Sequence, residues 1–130
     1  MSSRIERIVL DTTAGAPAQV LTLILAGEVR VLFDERILDE YAEVLARPRF
    51  GLDKADVGEV LRQLEADGER VAASLTSLRL PDADDLPFLE VALTGKADAL
   101  VTGNSRHFPG SLGVDVLSPR AVLERLEGEQ

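Results

Sequence analysis

No cysteine occurs anywhere in the chain, which removes disulfide staples, zinc–thiolate sites and thiol nucleophiles from consideration together. Histidine is almost as scarce, with His107 the only one. Long apolar runs are missing too: none approaches the ~20 residues that cross a bilayer. The first residues, Met1 to Arg7, carry charge where a secretory leader would need an apolar centre. A soluble, cytoplasmic protein with no membrane association is therefore expected. Basic residues are in deficit, 14 Lys and Arg against 23 Asp and Glu, for a net charge of −9. Proteins that grip nucleic acid by simple counter-charge show the opposite balance. Acidity of this degree is compatible with phosphate chemistry only where divalent cations reverse the local field. Internal repeats, linkers and low-complexity stretches are also absent.

What remains is an ordinary globular composition, 45% hydrophobic and 28% charged over 130 residues. That length suits a single domain over 1–130 with a proper hydrophobic core. Strand-like and helix-like segments alternate along it, the pattern of an α/β fold with a largely parallel sheet. Residues 7–10, RIVL, read as a buried strand ending at Asp11. Residues 17–25 carry helical apolar spacing through Val20, Leu21, Leu23 and Ile24 and stop at Gly27. A second strand is expected over 29–33, after which Asp34 can cap a helix running through Ile37, Leu38, Tyr41, Val44 and Leu45 to Arg47-Pro48. An amphipathic helix over 54–64 closes at Asp67-Gly68, and 71–75 reads as a third strand. A helix from Asp84 or Asp85 through Leu93 precedes Gly95, then a strand over 99–102 reaches Gly103-Asn104. A last strand over 114–117 leads into Ser118-Pro119, favoured cap and first-turn residues of a C-terminal helix.

Parallel sheets place their ligands beyond the carboxyl ends of the strands. Asp11 and Asn104 fall at such ends, although both residue types also serve turns and caps. In the helix after Asp34, a step of about 100° per residue gathers the apolar side chains into one stripe. Asp39 and Glu43 fall opposite it, whereas Glu40 lies on its flank, placed either to lean toward the core edge or to reach water. In Pro81-Asp82-Ala83-Asp84-Asp85, one acid is accounted for by capping and the helix dipole. Asp85 shares a face with Phe88 and Ala92 and can point into the crevice. Oxygen ligands drawn from separated strand and helix ends suit hard cations such as Mg²⁺ or Mn²⁺. With no thiol and a single histidine, metal-assisted hydrolysis has little competition.

These residues carry a likeness to a known family. RIVLDT, ERILDEYAEVLARPRF and PDADDLPFLEVALTGKADALVTGN with SRHF resemble the PIN domain, in particular its toxin components of toxin–antitoxin systems. The likeness runs from about Arg7 to Leu126. It implies a three-layer α/β/α sandwich around a largely parallel sheet, a Mg²⁺ or Mn²⁺ site and endonucleolytic cleavage of RNA. By position, Asp11, Glu40 and Asp85 match the family's metal-binding acids, and Asn104 occupies the place of a fourth. Asp82 matches a frequent extra acid, and Thr102 a hydroxyl beside the site. His107 stands near a position that is often acidic, and is read as structural or surface-lying. The likeness also implies a homodimer and a small antitoxin offering arginine or lysine to the carboxylates. Arg47, Arg49 and Arg106 are the basic residues nearest the crevice in sequence. One departure is clear: the family pattern places an asparagine and an apolar helix after the first Asp-Thr, whereas Asp11-Thr12 runs directly into Thr13-Ala14-Gly15-Ala16-Pro17. The first helix is thus missing or shortened, which would either abolish activity or leave core surface for a partner chain to cover.

Two other readings compete with a ribonuclease toxin. A degenerate, non-catalytic PIN fold would act as an antitoxin-binding or dimerisation module. A phosphoacceptor of the haloacid-dehalogenase type would use Asp11 but needs a second aspartate two residues on, where Thr13 stands.

Overall fold

A computed structural model describes residues 5–13 and 18–128. Its elements run in the order β1 (Arg7–Leu10), α1 (Ala18–Leu25), β2 (Arg30–Phe33), α2 (Glu35–Leu45), α3 (Lys54–Asp67), β3 (Glu69–Arg70), α4 (Leu86–Thr94), β4 (Ala99–Val101), β5 (Val116–Leu117) and α5 (Pro119–Gly128). The five strands form one all-parallel sheet in the order β3-β2-β1-β4-β5. Its three central strands are short apolar runs, IVL, VLF and ALV, buried on both faces as a helix-covered parallel sheet requires.

Strand order explains where the crevice must be. The chain steps outward from β1 to β2 to β3, then returns across the sheet to lay β4 on the far side of β1. Right-handed crossovers running in opposite directions put their helices on opposite faces. Accordingly α4 packs on β1, β2 and β4, while α1 packs with α3 and α5. The result is the expected three-layer α/β/α sandwich. Order reverses between β1 and β4, and a ligand crevice opens beyond the carboxyl ends of strands at such a point.

Among the described residues a single helix, α1, lies between β1 and β2, in keeping with the missing or shortened first helix. Its expected start at Pro17 lies outside the described residues. Asp34 caps α2 as anticipated, accepting from Ile37 N at 3.1 Å, and Ser118 Oγ accepts from Ala121 N at 3.0 Å at the head of α5. Helix α3 continues past Leu64 to Asp67, and β5 is shorter than expected.

The third strand needs correction. It occupies Glu69–Arg70, not 71–75. Val71 N still donates to Phe33 O at 2.8 Å, but β2 ends there because Asp34 has turned the chain into α2. With no strand left to pair, the segment crosses over α4 instead, where Ser74 N donates to Thr94 Oγ1 and Thr76 N to Glu90 Oε2, each at 2.9 Å. Leu75, expected in the sheet, is 83% exposed.

At the opposite end from the crevice, one carboxylate ties β1 to the start of β4. Asp98 Oδ2 accepts from Glu6 N and Arg7 N, both at 2.9 Å. Asp98→Ala strips both amides of their acceptor and is expected to cost about 1–2 kcal/mol. A lower urea midpoint at unchanged slope would show it; an unchanged midpoint would mean that water replaces the carboxylate without loss.

Candidate metal centre

Register builds the first half of the site. Leu10 pairs with Val101 across β1 and β4, so the next residues, Asp11 and Thr102, emerge side by side at the point where strand order reverses. Thr102 Oγ1 donates to Asp11 Oδ2 at 2.8 Å. Asp11 Oδ1 accepts from Thr13 N at 2.9 Å and from Thr13 Oγ1 at 2.7 Å. Three donors therefore fix a carboxylate that is only 1% exposed. The strand end itself is pinned by Tyr41, whose hydroxyl donates to Leu10 O at 2.7 Å.

Helix α4 supplies the second half. Asp82 Oδ1 accepts from Asp84 N at 2.9 Å and opens a single 3-10 turn over Ala83–Asp85 that runs into α4. The turn sends Asp82 and Asp84 to the surface and Asp85 inward, where it is 0% exposed. Among the described residues neither Asp85 oxygen has an aligned hydrogen-bond donor, the nearby Thr13 hydroxyl being spent on Asp11. Burial first, and then the neighbouring Asp11 charge, raise the Asp85 pKa from its ordinary value, opposed by His107 and the Thr13 hydroxyl.

Glu90, one turn along the same helix, is the instructive contrast. It is nearly as buried, at 3%, yet Oε1 faces Arg36 at 2.8 Å and Oε2 accepts from Thr76 N. Every demand of Glu90 is met by the fold, which marks it as structural. Those of Asp85 are not, and a buried carboxylate without partners costs enough to need a reason.

The third contributor is His107. Asn104 Oδ1 accepts from Arg106 N at 3.2 Å and caps a 3-10 turn over Ser105–His107. That turn brings the imidazole back over the end of β4, with Nδ1 buried 3.0 Å from Asp85 Oδ2 but lacking hydrogen-bond alignment. Among the described residues, Asp11, Asp85 and His107 form the one His/Asp/Glu trio whose ligand atoms all lie within 4.8 Å of one another. His107, read from the sequence as structural or surface-lying, therefore stands beside the two buried carboxylates. A 3-10 turn cannot be seen in residue spacing, and the available signal was only that the lone histidine follows the same strand end as Asn104.

The remaining sequence candidates stand around this trio. Glu40 is half-buried on the flank of α2 and outside the cluster. Its pKa is raised by partial burial and then by Glu43, with Asp11 and Asp84 adding to the rise and Arg47 opposing it; it therefore feels the site from its rim. Asp82 is exposed and spends Oδ1 on the turn, and Asn104 does likewise. Thr102 is buried and orients Asp11. Of the arginines, Arg47 faces Glu43 at 3.7 Å and Arg49 stacks over Phe50 at 4.8 Å, while Arg106 is exposed.

The donor set, two carboxylates and an imidazole with three unpartnered buried atoms, fits a divalent cation. No helix among the described residues is long and apolar enough to cross a membrane. The PIN domain family model matches residues 7–106; no curated protein and no solved structure matches the chain. PIN domains are generally metal-dependent nucleases. With an aspartate at the end of the first strand facing another at the head of α4 across a parallel sheet, and the family match spanning most of its length, the chain belongs to the PIN domain family.

Proposed function

We propose that this chain is a single-domain, metal-dependent endoribonuclease and the toxin half of a toxin–antitoxin pair in the cytoplasm. The observation that carries the reading is Asp85: two buried oxygens without partners, beside Asp11 and His107. Asp11 and Asp85 would hold Mg²⁺ or Mn²⁺, with Glu40 reaching in from the rim. When bound, such a cation supplies Lewis-acid polarisation of the phosphodiester and a more acidic water. The protein offers no thiol nucleophile, so the hydrolytic water must be placed by the carboxylates. Thr13 and Thr102 hold Asp11 in one orientation, which is the positioning that such chemistry demands. Arg47, Arg49 and Arg106 flank the crevice in sequence and would meet the RNA backbone. A homodimer, and a small antitoxin presenting arginine or lysine to the acidic pocket, complete the proposal; the charge of −9 favours a basic partner.

A panel of end-labelled RNAs incubated with Mn²⁺ is expected to yield discrete internal cuts that EDTA abolishes. Intact RNA across single-stranded and structured substrates would overturn the enzyme.

A second reading, a non-catalytic PIN fold kept for antitoxin binding or dimerisation, draws support from two observations. One helix, not two, lies between β1 and β2 among the described residues, and the Asn104 side-chain oxygen is committed to Arg106 N. Calorimetric titration separates the two, because an inert module would take up no Mn²⁺ at the trio.

A further inference from the structure

The loop after β4 holds His107 from both sides. His107 N donates to Asn104 O at 3.1 Å, Phe108 N donates to Ser105 O at 3.0 Å, and the Phe108 ring is buried in the core. The imidazole is thus carried on a fixed backbone, not on a wandering tip. An ordinary His–Asp pair would aim a ring N–H at a carboxylate oxygen. Here Nδ1 and Asp85 Oδ2 are 3.0 Å apart and neither satisfies the other, while Asp85 Oδ1 is equally unpartnered. Adjacent ligands on an octahedral ion, each about 2.1 Å from it, stand about 3 Å apart. The separation is that of two atoms directed at a common third one.

We infer that His107 is itself a ligand of the site through Nδ1, and that the resulting O,O,N donor set selects a first-row transition cation over Mg²⁺. This rests on the metal-dependent reading above and deepens it. Mg²⁺ prefers oxygen and water, whereas imidazole raises affinity for the transition ions in the order Mn²⁺ < Co²⁺ < Ni²⁺.

His107 is the only histidine, so in tag-free protein a directly bound imidazole nitrogen has one source. Pulsed EPR on the Mn²⁺-loaded full chain is expected to show ¹⁴N coupling of a ligated imidazole, absent in His107→Ala. Calorimetry with Co²⁺ and with Mg²⁺ gives the selectivity: His107→Ala should weaken Co²⁺ by more than about 100-fold, beyond what loss of an outer partner costs, and leave Mg²⁺ nearly unchanged. If Mn²⁺ binds, is lost in Asp11→Asn, and shows no ¹⁴N coupling, His107 is merely a neighbour of Asp85; this inference falls while the nuclease reading stands. If no divalent ion binds at all, both fall. The EPR arm uses the unaltered chain, so a poorly folding variant does not spare the inference.

Discussion

Asp85→Asn is expected to make the metal-free protein more stable while reducing metal-dependent RNA cleavage by more than about 100-fold. The two effects have one origin. In the folded chain Asp85 is fully enclosed, both oxygens lack donors and Asp11 lies nearby. Folding therefore disfavours its ionised form, which is the meaning of its raised pKa. An uncharged amide of the same shape removes the repulsion and lets its NH₂ donate toward Asp11. An unmet buried polar group costs about 1–3 kcal/mol, and relief of part of that should appear as a higher urea midpoint without metal. Cleavage moves the other way, because on the proposed function a direct ligand is lost. Removing outer partners of metal ligands already costs 10- to 100-fold, so a ligand itself should exceed that range. Added Mn²⁺ should invert the stability order, raising the melting temperature of the original protein by mass action and the variant little. A variant that is less stable without metal and still cleaves would show that Asp85 is an ordinary buried acid.

The trade has a counterpart in Glu90. Both acids are buried, Asp85 just before the first turn of α4 and Glu90 at its middle, so residue type and burial alone cannot rank them. What separates them is supplied by distant stretches: Arg36 from α2 and Thr76 from the crossing segment satisfy Glu90, whereas among the described residues Asp85 has only the misaligned His107 and the Thr13 hydroxyl, already spent on Asp11, beside it. Whether a carboxylate is satisfied is a tertiary property. The inward direction of Asp85, by contrast, was readable from its spacing to Phe88 and Ala92, and the rim position of Glu40 from its phase against Tyr41. Asp11 was readable because a buried apolar run that ends in an acid has few other places to put it. His107 was not, since its placement depends on one 3-10 turn capped by Asn104.

The fold divides along similar lines. Short apolar runs separated by amphipathic helices announce a parallel sheet, and β1, β2 and β4 came out within a residue of expectation. Strand order is not written locally, and it is the order that puts Asp11 beside Thr102. The third strand was misplaced because Val71-Ala72-Ala73 is an apolar run following a helix stop. Composition cannot tell that its neighbour has already ended at Phe33.

That same junction carries the second large effect. Gly68→Ala is expected to destabilise the protein by about 3 kcal/mol, at the upper end of overpacking costs. Its backbone is extended, with φ −87°, so no left-handed conformation demands glycine here. The demand is for space. A Cβ at this position would stand 2.6 Å from both Leu64 O and Val31 O and 2.9 Å from Phe33 Cε1. Two of those atoms are backbone, one in α3 and one in β2, and neither can rotate away. Gly68 N also donates to Leu64 O at 2.8 Å, so any retreat of the chain loosens the end of α3. The clash sits where α3 passes directly into β3, at the edge of the sheet remote from the trio. Its signature should therefore be local before it is global: faster amide exchange in β3 and at the end of α3, with Mn²⁺ affinity unchanged under conditions where the variant stays folded. Equal exchange in both proteins, or a lost Mn²⁺ site in a folded variant, would mean that the junction is looser, or more tightly coupled to the metal centre, than its packing indicates.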